Sequence, residues 1–415
     1  MRNLILALAL IIALVGCNNN EPININIGGD GHSNDFSHIK KFPNTLYSNY
    51  KIANELGGSG SPLLELNSGL VMFAGKNGTI ACLAADKTQW KFQLDSNSYI
   101  YSAMVADTKD NIYFVDYYGK LCKLTNEGKL AFAFDTKQIS STINIEGNQS
   151  PLYNDLLIVQ DGIIVAGSLV RSGFIAKVSF DGKLLWQYVS TLGLNSTPTA
   201  DSIGNIYCNG NSWQDLGTDS LFSLSNDGKL NWSKPFVKQS LIKYPVVANN
   251  RLNVATTLFL GDNKVSKLYS YKLDGTPIYE KELSFIVRNL SLSNEHNLFV
   301  VCYNAGLGGS KSGVFSFKPN GDKDWQIFID YSIPTPCLIT KDEIAVAGTN
   351  KSSMGIFYID RATGKLRMVQ DIGRADELSY KPFVTKAGNI LLPSLESSSY
   401  IKVDFTLMDK LYNFD

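Results

Sequence analysis

Histidine, the side chain most often used for proton transfer near neutral pH, is nearly absent from this chain. The 415 residues contain three histidines, and two of them, His32 and His38, lie in a polar N-terminal stretch. His296 is the remaining imidazole. Metal sites and acid–base triads that need several histidines are therefore nearly excluded.

The charged residues add no candidate catalytic or metal site. Asp107, Asp110 and Asp116 are close in sequence, but they flank a predicted strand and fit turn positions. No cluster of acid and amide residues is typical of a calcium site. The 38 Lys and Arg balance 38 Asp and Glu, so the basic excess expected of a nucleic-acid-binding protein is missing.

Cysteine occurs in two settings. Cys17 follows Arg2 and an apolar stretch at residues 4–14, which is too short to span a membrane and is typical of a secretory signal. The other five match neither zinc nor redox spacing, and most are predicted to be buried as small apolar side chains. These five are Cys82, Cys122, Cys208, Cys302 and Cys337.

The residues before Cys17 read Leu-Val-Gly and resemble the lipobox of bacterial lipoproteins. The resemblance implies a signal peptide at residues 1–16 and acyl chains on Cys17, which would anchor the chain stably in a membrane. Asn18 is not the Asp that retains such proteins in the inner membrane, so an outer-membrane anchor is implied. Residues 17–45 are polar and Gly-rich, and we interpret them as a flexible tether.

The rest of the chain repeats one pattern, an apolar strand followed by an Asx-Gly-Lys turn and an aromatic residue. The turns lie at positions 86, 128, 182, 228, 275, 321, 364 and 409, a mean spacing of about 46 residues that is typical of a propeller blade. Glycine holds six of these positions: Gly128, Gly182, Gly228, Gly275, Gly321 and Gly364. Four of the five tryptophans share the aromatic column of the alignment: Trp90, Trp186, Trp232 and Trp325.

Each repeat also opens alike, with Ser or Thr before Pro in copies such as Ser61-Pro62 and Thr335-Pro336. Short apolar strands and turns follow, with Asp-Gly as a two-residue hairpin signal. Four strands per repeat and no helical period predict an all-β fold, an eight-bladed β-propeller of four-stranded antiparallel blades at residues 46–415. Residues 50–53 are the preferred outer strand of the last blade, with residues 411–414 as the alternative.

The run Ile359-Asp360-Arg361-Ala362-Thr363-Gly364-Lys365 resembles the quinoprotein-type (PQQ-like) propeller repeat. In that repeat the aromatic residue is a structural wedge between blades, so the four column tryptophans are interpreted as core residues. A lipidated single-domain propeller of this size is also similar to the BamB-like lipoproteins of the outer-membrane β-barrel assembly machinery. That resemblance implies an envelope protein that binds a protein partner and is monomeric alone.

A non-catalytic binding scaffold is the preferred function, because loops on rigid scaffolds commonly carry binding residues. The connections between second and third strands lengthen at residues 211–220, 259–267 and 304–312. Trp213, in the first of them, and Arg288 are the candidate contact residues.

Two alternatives remain open. A polysaccharide- or small-ligand-binding lipoprotein would display several solvent-facing aromatic residues at one end of the ring. A quinone-dependent dehydrogenase would, by its resemblance, carry adjacent cysteines, a calcium site and a catalytic Asp. The sequence has no adjacent cysteines, so we predict no cofactor, no metal and no enzyme activity.

Overall fold

The computed structural model describes most of residues 61–373 together with five strand segments outside that range. Its gaps fall at residues 62, 85–86, 96, 101, 141–151, 170–171, 195, 212–217, 238, 242–244, 249, 261–262, 304–310, 334 and 351–352. The outer segments are residues 35–36, 47–51, 383–384, 390–393 and 399–403. The predicted signal peptide, Cys17, Trp213 and residues 411–414 lie outside the described residues.

Two strands precede the repeats: β1 (Asp35–Phe36) and β2 (Tyr47–Lys51). Repeat one contains β3 (Leu64–Glu65), β4 (Val71–Ala74), β5 (Thr79–Ala84) and β6 (Lys87–Gln93). Repeat two contains β7 (Val105–Ala106), β8 (Ile112–Val115), β9 (Lys120–Leu124), β10 (Leu130–Asp135) and a short helix, α1 (Lys137–Ser140). Repeat three contains β11 (Leu152–Tyr153), β12 (Leu157–Val159), β13 (Gly162–Leu169), β14 (Ser172–Val178) and β15 (Leu184–Ser190).

Repeat four contains β16 (Gly193–Leu194), β17 (Thr199–Ala200), β18 (Ile206–Asn211), β19 (Thr218–Leu224) and β20 (Leu230–Val237). Repeat five contains β21 (Gln239–Leu241), β22 (Val246–Ala248), β23 (Arg251–Leu260), β24 (Asn263–Lys272) and β25 (Pro277–Leu283). Repeat six contains β26 (Ile286–Leu292), β27 (Leu298–Tyr303), β28 (Ser312–Phe317) and β29 (Lys323–Ile329).

Repeat seven contains β30 (Leu338–Thr340), β31 (Glu343–Thr349), β32 (Met354–Asp360) and β33 (Leu366–Gly373). Repeat eight contains β34 (Phe383–Val384), β35 (Ile390–Pro393) and β36 (Ser399–Val403). Apart from the four-residue α1, the described elements are strands, which confirms the all-β prediction. No helix in the described part of the chain is long and apolar enough to cross a membrane.

The described strands form seven hydrogen-bonded sheets of a propeller fold. Six of these sheets each hold the strands of one repeat, and a ten-stranded sheet holds both repeats four and five. The two are joined where β21 pairs with β23 of repeat five and, through Thr218 and Gln239, with β19 of repeat four. The number of separate sheets is therefore one below the eight predicted.

The N-terminal strands join the last two repeats. β2 pairs antiparallel with β36, in the register Tyr47 to Val403 through Lys51 to Ser399, and so takes the outer position of repeat eight. This pairing agrees with the preferred N-terminal closure. β1, from the segment interpreted as a tether, pairs parallel with β30 of repeat seven.

Burial explains why the repeats stack face to face. Second and third strands such as β4, β8 and β28 are buried at every residue, whereas the fourth strand β6 alternates exposed and half-buried side chains. A sheet that buries both faces needs apolar residues in succession, and an outer strand does not. The buried faces form six hydrophobic clusters, and each cluster joins two neighbouring repeats in the series from repeat one to repeat seven.

The hairpin at the Asp-Gly signal forms, but with a different turn from the two-residue type predicted. In repeat four the N–H of Gly228 donates to the carbonyl of Ser225 at 2.9 Å, and Gly228 has a φ of 83°. Neither Asn226 nor Asp227 has positive φ, which a type I′ turn requires. The geometry is that of a type I turn followed by a left-handed glycine and a bulge between Ser223 and Leu224.

Candidate functional site

Strand direction divides the ring into two faces. Because consecutive strands of a repeat run antiparallel, the connections between them alternate between the two ends of the sheets. One end, here called the turn face, carries the glycine turns. The other end, the connection face, carries the links between second and third strands and those between repeats.

The four column tryptophans each donate an indole N–H to a main-chain carbonyl in the turn of the next repeat. The bonds are Trp90 to Asn126 at 3.0 Å, Trp186 to Asn226 at 2.9 Å, Trp232 to Leu273 at 3.0 Å and Trp325 to Arg361 at 2.9 Å. Each indole therefore joins two repeats by a hydrogen bond as well as by packing. These contacts are consistent with the interpretation of the column as a structural wedge.

Each turn glycine packs directly against the aromatic ring of the preceding repeat. A Cβ added to Gly228 would lie 2.6 Å from Trp186 Cδ2, closer than real Cβ contacts allow. The same holds for Gly128, Gly182, Gly321 and Gly364, whereas a Cβ on Gly275 would lie 3.1 Å from Lys234 Cε. All six have positive φ, so only glycine fits both the turn and the ring above it.

In repeats two and five the aromatic column has no tryptophan, and a lysine or arginine donates the equivalent hydrogen bond to the turn of the next repeat. Lys123, the cross-strand neighbour of Phe132, donates its amine to the carbonyl of Phe180 at 3.0 Å. The guanidinium of Arg251 donates to the carbonyl of Pro319. Six consecutive seams, from repeats one and two (seam 1/2) to six and seven (seam 6/7), thus each contain an N–H donor to a turn carbonyl. The sequence analysis missed these cations.

Lys177 adds a second donor at seam 3/4. Its side chain is 2% exposed, and its amine lies 2.7 Å from Asn226 Oδ1 and pairs with the carboxylate of Asp161. A buried amine is stable only when its charge and protons are engaged. Lys177 meets that condition with one carboxylate and the turn of the next repeat.

Of the two predicted contact residues, Arg288 is described. It lies in β26 at the connection face, where the guanidinium carbon is 4.7 Å from the centre of the Tyr303 ring and Nη1 is 3.2 Å from Ser332 Oγ. The cation–π contact and the hydrogen bond tie Arg288 to its own repeat and to the link into repeat seven.

One of the three predicted long connections is a strand pair instead. β23 and β24 pair through Leu258 to Val265, Phe259 to Lys264 and Leu260 to Asn263, so the segment at residues 259–267 extends the hairpin of repeat five. The dipeptide Gly261-Asp262 was the available signal, because Gly-Asp between two strand-like runs is typical of a two-residue hairpin. Much of the other two connections lies outside the described residues.

The sequence analysis missed three neighbouring tyrosines on the connection face near repeat two. Tyr99 and Tyr117 stack with ring centres 4.8 Å apart and planes at 30°, and Tyr118 meets Tyr117 edge-on at 5.5 Å. They are 36%, 41% and 40% exposed. We call these residues the tyrosine cluster. Tyr117 and Tyr118 are adjacent in sequence, but only the bridge between Ile100 and Asp116 brings Tyr99 beside them.

The turn that carries the tyrosine cluster is held from below. Thr136 donates two hydrogen bonds to the carbonyl of Gly119, one from its main-chain N–H at 3.1 Å and one from its hydroxyl at 2.6 Å. The same hydroxyl lies 2.6 Å from the Tyr153 hydroxyl, and burial raises the pKa of Tyr153 to about 12. Gly119 has a φ of 83° and no room for a Cβ beside Tyr153. The turn that carries Tyr117 and Tyr118 is therefore held in one conformation by the fold.

A charged cavity of about 500 Å³ lies between repeats six and seven at the turn face. Its two arginines are already engaged: Arg361 pairs with Glu295 at 2.6 Å and Arg367 with Glu343 at 3.1 Å. Arg361 also donates to the carbonyl of Thr340 at 3.0 Å. The pair Arg361–Glu295 crosses the seam between repeats six and seven, and the other two contacts lie within repeat seven.

The part of the chain that the structure describes contains neither a metal-binding cluster nor a reactive thiol. No group of three or more potential metal ligands occurs there. The five cysteines are free and buried, and desolvation raises the thiol pKa of Cys82 to about 11 and of Cys208 to about 12. A buried thiol with a raised pKa is a weak nucleophile at neutral pH.

These features define a β-propeller, and comparison with known proteins supports that fold. No family model and no curated protein matches the chain. Among solved structures, BamB from Moraxella catarrhalis is similar, with a TM-score of 0.59 and 16% identity over 87% of this chain and 99% of that chain.

Propellers of other kinds are similar to the same degree. The quinohemoprotein alcohol dehydrogenase ADHIIG from Pseudomonas putida HK5 matches with a TM-score of 0.59 and 10% identity, over 88% of this chain and 76% of that chain. The Dos1 propeller matches with a TM-score of 0.61 and 10% identity, over 86% of this chain and 94% of that chain. At these identities the likeness concerns the fold alone, a β-propeller similar in structure to BamB and to the other two proteins.

Proposed function

We propose that this protein is a lipid-anchored, non-catalytic scaffold that binds another protein of the cell envelope through its connection face. The observation that carries the proposal is the series of six seams in which an indole, lysine or arginine of one repeat donates to the turn of the next. Such a series makes a rigid support for loops, and rigid loops lose less entropy on binding. BamB matches over nearly its whole length, which favours a role in outer-membrane protein assembly.

The proposal includes eight blades, with the ten-stranded sheet counted as two. The pairing between repeats four and five rests on the short strand β21, whose other partner, β23, belongs to repeat five. The repeat count of the sequence and the outer strand that β2 gives to repeat eight support the same number.

The anchor is Cys17 and the tether is the segment at residues 17–45. Cleavage before Cys17 and acylation would place the propeller at the outer membrane, and the chain would bind its partner as a monomer. The absence of adjacent cysteines from the sequence supports a function without a quinone cofactor.

Trp213 and Arg288 are the proposed contact residues. The sequence places Trp213 in the connection between β18 and β19, and the structure places Arg288 where β26 enters repeat six. Arg288 lies at the connection face of repeat six, and from its place in the sequence between β18 and β19 we expect Trp213 at the same face of repeat four.

Affinity capture from envelope extracts tests the proposal. The full-length chain should recover a reproducible partner, and Trp213→Ala with Arg288→Ala should lose it. Ile203→Ala is the matched control, because Ile203 is 73% exposed on a turn of the opposite face. Equal recovery by wild type and the double variant would reject the proposed face, and recovery of no partner would reject the scaffold function.

A further inference from the structure

The tyrosine cluster lies outside the hydrophobic clusters that join the described repeats. Tyr99, Tyr117 and Tyr118 belong to none of the hydrophobic clusters that join the repeats. Their hydroxyl groups make no hydrogen bond with the residues that the structure describes. Three adjacent exposed rings form an apolar patch that the fold does not need, and such patches commonly mark interaction sites.

The cluster is preorganised for a flat ligand. The N–H of Tyr117 donates to the carbonyl of Tyr99 at 2.8 Å, and the two rings stack against each other. The carboxylate of Asp116 accepts the N–H of Lys120 at 2.7 Å and fixes the turn between them. Since both ring positions are set by the main chain, binding would cost little conformational entropy.

The charges beside the cluster favour a neutral ligand. Asp95 and Lys120 lie 3.5 Å apart and neutralise each other. Asp116 is buried and engaged by the Lys120 N–H and by the Ser98 hydroxyl at 3.3 Å. An anionic or cationic partner would gain little from these groups, whereas ring faces and free hydroxyls suit a ligand that has apolar faces and many hydroxyl groups.

We propose that the tyrosine cluster binds a neutral oligosaccharide, with a sugar ring packed on the outer face of the stacked pair Tyr99 and Tyr117 and its hydroxyls bonded by the hydroxyl of Tyr118. This site lies in repeat two, apart from Trp213 and Arg288, and does not depend on the protein partner. The protein thereby holds a glycan at one part of the connection face and a protein at another.

Calorimetric titration of the mature chain with maltohexaose, cellohexaose and chitohexaose tests the proposal. At least one of them should bind, and Tyr99→Ala or Tyr117→Ala should weaken that binding by about tenfold or more, because each removes a large buried contact. Tyr117→Phe should retain most of the affinity, since it keeps the ring. Ile203→Ala, on the turn face, should bind as the wild type does.

Three results would overturn the proposal. The first is no binding of any of the three hexasaccharides at millimolar concentration, and the second is full binding by the double variant Tyr99→Ala with Tyr117→Ala. The third is a proline-rich peptide, titrated in parallel, that binds in place of the sugars and is lost in the double variant. The unfolding midpoints of the variants should match the wild type, so that loss of binding is not loss of fold.

Discussion

Seam 3/4 and seam 5/6 bury the same kind of turn against the same kind of sheet. The two seams differ in the hydrogen bonds that their buried polar groups make. At seam 3/4 the indole of Trp186 and the amine of Lys177 both bond to Asn226. At seam 5/6 the Tyr279 hydroxyl donates to Asn253 of its own repeat at 3.4 Å. The next turn is reached by Arg251 and by the partly exposed Lys281, whose amine lies 3.2 Å from the Asp322 carboxylate.

Seam 5/6 contains buried polar atoms without hydrogen-bond partners among the described residues. Asn253 is fully buried, yet among the residues that the structure describes its Nδ2 finds no hydrogen-bond partner, and neither does Nδ1 of His296 in repeat six. An unsatisfied buried polar group costs about 1–3 kcal/mol. The difference teaches that the aromatic column alone does not make a strong seam. A buried donor such as Lys177, which pairs the polar groups of the next turn, strengthens the seam. Of the seams between repeats one and seven, we expect seam 5/6 to open first.

The largest expected effect comes from breaking seam 3/4 with Gly228→Ala. The variant combines a left-handed φ of 83° with a Cβ that would meet the Trp186 ring, so unfolding free energy should fall by about 3 kcal/mol. Gly69→Ala is the control, because Gly69 has a φ of 79° and open space around it. It should lose about 1 kcal/mol in the same denaturant titration, and equal losses would contradict the tight seam.

Lys177→Met removes the second donor of seam 3/4 while keeping most of the side-chain volume. Asn226 loses a hydrogen bond and Asp161 its partner, so unfolding free energy should fall by about 1–2 kcal/mol. Lys129→Met at an exposed turn, where the lysine is 77% exposed, should change it by less than about 0.5 kcal/mol. A Lys177→Met variant as stable as the control would show that the amine does not hold the seam.

Seam 5/6 should respond in the opposite direction to loss of its polar groups. The double variant Asn253→Leu with Tyr279→Phe removes a buried amide and the hydroxyl that reaches it, so stability should stay constant or rise by up to about 1 kcal/mol. Hydrogen exchange at β23 and β25 should slow or stay unchanged. Destabilisation comparable to that of Lys177→Met would show that the amide is satisfied in solution.

The smallest effect is a pH dependence at the same seam. Desolvation, with the nearby charge of Arg251, lowers the pKa of His296 below its usual 6.5, and Glu295 opposes the shift only partly. The unfolded chain then binds more protons than the folded one, so stability is full above about pH 6.5 and declines as pH falls toward the lower folded pKa. His296→Asn, which tolerates the φ of 66°, should lose this decline between pH 7 and pH 5 in thermal unfolding. An unchanged profile would contradict it.

Much of the fold follows from local patterns in the sequence. The spacing of Gly182, Gly228 and Gly275 sets the repeat, and the Trp186 column marks the seams, because turn chemistry and packing recur in every unit. The joined sheet of repeats four and five could not be predicted, since it depends on the pairing of Thr218 with Gln239.

The candidate site was harder to predict because it depends on contacts across repeats. Tyr99 lies 18 residues from Tyr117 in the sequence, and only the path of the link into repeat two stacks their rings. The hydrogen-bond targets of Lys123 and Arg251, the carbonyls of Phe180 and Pro319, lie in the next repeat and are set by the stacking of sheets.

The intact mass of the protein purified from envelope fractions tests the central claim, an anchored envelope scaffold, most directly. We expect a chain that begins at Cys17 and carries the mass of two or three acyl chains, with Cys17→Ser released from the membrane fraction. A full-length chain with its leader uncut in the cytosolic fraction would contradict the account.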